Sequence, residues 1–155
     1  MRPSAARGYT LIELMFVIAI FAILAVIATP YIGTMFQSQR VKNATMDINA
    51  SVNFARSEAV KRNAQVDIKA ASGGWASGWT VQAGTTVLRT QNALDRINMT
   101  EKNAQTGFSF TGNGRMSGAS VAFTVSPVET DSKQSPFCVN VETTGRVRVA
   151  DGACP

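Results

Sequence analysis

Arg146 and Arg148 lie in the segment TTGRVRVADGACP (143–155) and are separated by one valine. Side chains alternate between the two faces of a strand, so Val147 and Val149 share one face and the two arginines share the other. Burying the valines exposes the arginines. Residues two apart in a strand stand about 6.6 Å apart, comparable to adjacent phosphates on one nucleic-acid strand, and guanidinium forks suit phosphate oxygens. Such contacts position a protein on nucleic acid without reading its sequence. Thr144 and Gly145 read as a turn, which sets the pair beside a hairpin tip. The bland alternative is a solvated strand face whose edge charges oppose aggregation. Arg115 and Lys133 are further basic residues, but the sequence does not place them beside this pair.

Other chemistry is sparse. The chain has no histidine, which removes Ser-His-Asp and Cys-His arrangements and all His-containing metal sites. Nothing points to a cofactor, and no nucleophile–base constellation is recognisable, so a membrane-anchored periplasmic enzyme is only a remote reading. The two cysteines, Cys138 and Cys154, both fall on the C-terminal side of the apolar run described next. In an exported domain a disulfide is their default state. It would close a loop of about 17 residues, worth roughly 3 kcal/mol in the chain-entropy model, and clamp the arginine strand.

Glu13 is the remaining oddity. It is the only charge in the 19-residue stretch 11–29. As a helix that stretch measures about 28 Å, close to the hydrocarbon thickness of a bilayer. A carboxylate there costs roughly 2.5–3.5 kcal/mol on insertion. Arg2 and Arg7 precede the run and no acid does, so the N-terminus is expected to stay cytoplasmic and the rest to face the periplasm. The formal net charge is +5. Without Arg2 and Arg7 there remain thirteen basic against ten acidic residues, so a case for nucleic acid must be local rather than global.

These residues are positioned by two regions. From Tyr31 to Asn63 there is no proline and one glycine, Gly33. Ile32, Met35, Phe36, Ala44, Ile48, Val52, Ala55 and Ala59 recur mostly at spacings of three or four, which predicts an amphipathic helix. The whole reads as one long helix over about 10–63, kinked near Pro30 and Gly33. After residue 64 the period becomes two: QVDIKA, GWTVQ, TTVLRT, GFSF, SVAFTV, FCVNVET and RVRV read as strands. Gly73-Gly74, Gly84, Asn113-Gly114, Gly118 and Thr144-Gly145 separate them. Residues 91–106 are polar and ambiguous, 129–136 read as an exposed loop, and Trp75 and Trp79 read as packing residues. The expected fold class is α+β, a long N-terminal helix packed on a C-terminal antiparallel β domain over 64–155.

For residues 1–30, a conventional signal cut after Val26-Ile27-Ala28 and a plain signal anchor both leave Glu13 unexplained. The segment RGYTLIEL instead resembles the prepilin peptidase site of type IV pilins and pseudopilins. The resemblance implies a leader over 1–8 ending in Gly8, cleavage that makes Tyr9 the N-methylated terminus, and Glu13 at the fifth mature position. Pro30 falls at the twenty-second, where that family commonly has proline; Tyr9 replaces its usual phenylalanine. It also explains Glu13, which would pair with the Tyr9 amine of a neighbouring subunit and so favour one axial register.

FARSEAVKRN (54–63), SGGWASGWTV (72–81) and, more loosely, GNGRMSG and GRVRV resemble the GspH/FimT family. That family contains the minor pseudopilin of type II secretion and minor pilins of type IV pili. FimT-type minor pilins linked to natural transformation carry Gly-Arg-x-Arg near the C-terminus and bind DNA with it; here this is Gly145-Arg146-Val147-Arg148. The resemblance implies an inner-membrane minor pilin that joins other pilin subunits, is processed by prepilin peptidase, and binds extracellular DNA non-specifically. A GspH-like pseudopilin or minor pilin that only primes filament assembly is the alternative.

Overall fold

The structure, a computed structural model, describes residues 9–129 and 134–155; at 28–32 and 34 it describes backbone only. It divides into two units, 1–35 and 36–155. Helix α1 (Leu11–Arg62) belongs to both. Its helical backbone continues through Pro30 and Gly33.

In the first unit α1 is apolar on all sides and exposed all round, from Leu11 and Ile12 to Val26 and Ile27. Among the described residues no helix is long and apolar enough to cross a membrane. The span expected over 11–29 runs past Ile27 into positions whose side chains lie outside the description.

In the second unit α1 buries Val41, Ala44, Ile48, Val52, Ala55 and Ala59, one stripe at spacings of three and four. The stripe starts later than its sequence pattern predicts. Met35 and Phe36 are exposed, because the packed core covers α1 only from Val41 onward; Ile32 lies outside the described side chains. The helix ends on Asn63, which takes a left-handed φ of 47°. The Ala64 amide donates to the Ala59 carbonyl and the Asn63 amide to Val60, so the last carbonyls are satisfied in a Schellman arrangement.

Among the described residues nine strands follow: β1 (Val66–Ala71), β2 (Gly74–Ala83), β3 (Thr86–Gln91), β4 (Ile97–Glu101), β5 (Gly107–Phe110), β6 (Met116–Ser117), β7 (Val121–Pro127), β8 (Phe137–Val141) and β9 (Val147–Asp151). They form two antiparallel sheets, ordered β3-β2-β1-β5-β6 and β4-β7-β8-β9. The expected α+β architecture is the observed one. Trp75 of β2 and Phe108 of β5 meet Phe123 of β7 with ring centroids 4.8 and 6.0 Å from it, so the two sheets interlock through aromatic rings. Trp75 also donates its indole N–H to the Gln105 carbonyl at 2.8 Å.

The ambiguous segment 91–106 contains β4. Ile97, Met99 and Glu101 alternate inward, and the third inward residue is a buried carboxylate. Glu101 accepts backbone N–H groups from Asn103 and Gln105, each at 2.8 Å, and from Ala122 at 3.4 Å. A buried carboxylate is tolerated when its oxygens are so occupied, and here it organises the turn into β5. Residues 130–133 of the expected exposed loop lie outside the described residues.

Candidate nucleic-acid interface and assembly residues

The β8–β9 hairpin holds the arginine pair. Its turn closes through the Glu142 amide on the Arg146 carbonyl at 2.9 Å and the Gly145 amide on the Glu142 carbonyl at 2.8 Å. Gly145 is buried, with φ +80°. An added Cβ there would lie 2.9 Å from the Gly114 carbonyl oxygen and 3.0 Å from Cδ of Arg56. Only glycine fits both the backbone conformation and the space. Arg56 Nη1 also donates to the Gly145 carbonyl at 3.4 Å, tying the hairpin tip to α1.

The two arginines are not equivalent. Arg146 is exposed and has no ion-pair partner among the described residues, whereas Arg148 Nε is paired with Glu142 Oε1 at 2.6 Å. The two valines also depart from expectation. Val147 is half-buried, but Val149 is 46% exposed. The reason is that β9 is an edge strand, paired with β8 alone. Val149 lines an open apolar cleft of about 280 Å³ with Lys42, Thr45, Met46, Asn49 and Phe137.

Cys138 and Cys154 form a disulfide with an S–S distance of 2.06 Å and Cα atoms 4.9 Å apart. Cys138 lies on β8, opposite Ala150 of β9. The tail crosses back over β8, where the Gly152 amide donates to the Pro136 carbonyl at 2.8 Å and the Cys154 amide to Thr124 Oγ1 of β7 at 3.1 Å. The bridge thus fastens the far end of β9 to its sheet. Reduction should lower stability by about 3 kcal/mol on the loop-closure argument. Chemical unfolding with and without reductant measures this, and an unchanged midpoint would deny the bridge any clamping role.

At the N-terminus Gly8 lies outside the described residues, and Tyr9 is 86% exposed. Glu13 falls in the first turn of α1, and its amide donates to Thr10 Oγ1 at 3.3 Å. Thr10-x-x-Glu13 before an apolar run has the form of a capping box, and a carboxylate in the first turn also favours the helix dipole. Sequence reasoning missed this local role, although the spacing signals it. Lys133 lies outside the described residues. At the other end of α1, Glu58 accepts Arg62 Nε at 2.7 Å and Lys61 Nζ at 3.5 Å. The Arg62 hydrogen bond, foremost, holds its carboxyl below the usual range.

Residues 44–145 match the family described as Type II transport protein GspH, and residues 3–29 match the prokaryotic N-terminal methylation motif. No curated protein sequence matches the chain. Two crystal structures of the type IV minor pilin FimU of Pseudomonas aeruginosa PAO1 share its fold. The first has a TM-score of 0.62 at 22% identity, covering 72% of this chain and 89% of that one. The second has a TM-score of 0.59 at 24% identity, covering 70% and 91%. The methylation motif implies cleavage by prepilin peptidase and membrane anchoring as a pilus component, with other pilins as partners. Its family is one of structural subunits, so the chain is not an enzyme. With its GspH region spanning well over half of its length, the chain belongs to the GspH family of type IV pilin-like proteins.

Proposed function

We infer that the chain is a FimT-like minor pilin that takes part in pilus assembly and binds extracellular DNA for uptake in natural transformation. In this reading prepilin peptidase cuts after Gly8, freeing Tyr9. Residues 11–29 anchor the subunit in the inner membrane in a single pass, and the domain over 64–155 lies in the periplasm or, after assembly, on the pilus. Glu13 sets the register between subunits. The observation that carries the DNA reading is the hairpin tip. An exposed Arg146 guanidinium, with no ion-pair partner among the described residues, sits on a turn that Gly145 shapes and α1 braces. Arg148 adds charge on the same hairpin, tempered by Glu142.

The test is anisotropy of a fluorescent duplex titrated with the full chain in detergent micelles. Binding should be independent of sequence and weak, near the 10⁻⁴ M end of the roughly 10⁻⁴–10⁻⁶ M range typical of non-specific sites. Replacing both Arg146 and Arg148 with Gln should abolish it with the disulfide intact. No binding of the native chain even at low salt would leave filament priming, the reading that the GspH match over 44–145 favours next.

A further inference from the structure

Twelve of the fifteen basic residues are described. Six of them are held by acids: Arg40 by Asp95, Lys61 and Arg62 by Glu58, Lys69 by Asp67, Arg96 by Glu129, and Arg148 by Glu142. Lys42, Arg56, Arg89, Lys102, Arg115 and Arg146 have no ion-pair partner among the described residues. The first, third and fourth are scattered over α1, β3 and the turn after β4. The other three belong to one junction. The Met116 amide donates to the Thr143 carbonyl at 3.0 Å, and a Cβ on Gly145 would come within 2.9 Å of the Gly114 carbonyl, so the turn before β6 runs against the β8–β9 turn. Arg56 lies across both. Its Nη1 reaches the Gly145 carbonyl, and its Nε would stand 3.4 Å from a Cβ on Gly114. Arg115 and Arg146 each follow one of these glycines directly, and both are exposed.

We propose that the phosphate-binding site is the cluster Arg56, Arg115 and Arg146, gathered by the Gly114 and Gly145 turns, and that Arg148 is a structural partner of Glu142 rather than a phosphate ligand. This rests on the DNA reading above and changes its ligand set. Three guanidinium groups without an acidic partner among the described residues, carried on two braced turns and a helix, form a cationic, anion-binding site. The Glu142–Arg148 pair beside it is neutral as a unit. The partner is a nucleic-acid backbone, recognised through its phosphates.

The salt dependence of duplex binding by the full chain in detergent micelles counts the contacts. Each neutralised phosphate contributes a log–log slope of about −0.9, so the native chain should show about −2.7. Arg115→Gln should weaken binding and make the slope shallower by about 0.9. The double variant Glu142→Gln/Arg148→Gln removes the pair without changing net charge, and should keep the native slope and affinity. Both variants alter exposed or half-buried side chains, and an unchanged thermal midpoint with the disulfide intact checks the fold. An unchanged slope in Arg115→Gln, or a slope in the double variant shallower by about 0.9, overturns this ligand set while leaving DNA binding in place. A native chain that binds no duplex overturns the DNA reading itself.

Discussion

Phe123→Ala should destabilise the β domain by about 3–5 kcal/mol, the range for truncating a fully buried phenylalanine. Phe123 is 0% exposed, and its ring meets Trp75 edge-on and Phe108 at a tilt. It is the contribution of β7 to an aromatic cluster whose other members come from the opposite sheet. Truncation therefore opens a cavity where the two sheets interlock, and neither sheet can close it without moving the other. Phe123→Leu keeps most of the volume and should cost less than about 1.5 kcal/mol. Val87→Ala, on an edge strand and 53% exposed, should change stability by no more than about 0.5 kcal/mol. Thermal unfolding followed by near-ultraviolet dichroism of the tryptophans reads all three variants. For Phe123→Ala the midpoint should fall by roughly 10 °C. A fall no larger than that of Val87→Ala would mean that the cluster does not join the sheets.

Glu13→Val should abolish recovery of the subunit in sheared pili while leaving its membrane insertion at least as efficient. The substitution removes an insertion cost of roughly 2.5–3.5 kcal/mol, so poor insertion cannot explain a loss. It removes two things together, however: the charge proposed to pair with the neighbouring Tyr9 amine, and the side-chain acceptor at the third position of the capping box, while the Glu13 amide keeps its bond to Thr10 Oγ1. Glu13→Gln separates them, because glutamine also serves at the third position of a capping box. Loss of both variants from pili assigns the role to the charge. Recovery of Glu13→Gln at the native level assigns it to the cap and removes the intersubunit ion pair.

Much of the fold was legible because it follows from periodicity. Ala44, Ile48, Val52, Ala55 and Ala59 repeat at helical spacing, and Val66/Ile68, Val121/Phe123/Val125 and Phe108/Phe110 alternate; all are buried. Gly74, Gly84, Gly114, Gly118 and Gly145, in the turns expected from sequence, all have positive φ. β4 was hidden for a physical reason. Its third inward position is Glu101, and a buried carboxylate satisfied by amides from Asn103, Gln105 and Ala122 has no hydrophobic signature. β6, two residues long, is too short for any period to show. At the candidate site, the hairpin and its arginines could be read from TTGRVRV, but their inequality could not. Glu142 precedes the turn, and only the fold brings its carboxylate to Arg148. Arg56 and Arg115 belong to segments far apart in sequence, which Gly114 and Gly145 bring together by packing without side chains.

Amide NMR of the full chain in detergent micelles, titrated with a short duplex, shows which surface of the protein meets DNA. Fast-exchange shifts are expected, centred on residues 143–150 and on the turn over 111–116, and both sets should weaken together when Arg146 is replaced with Gln. Shifts confined to other surfaces, or none at low salt, would contradict the proposed DNA-binding site.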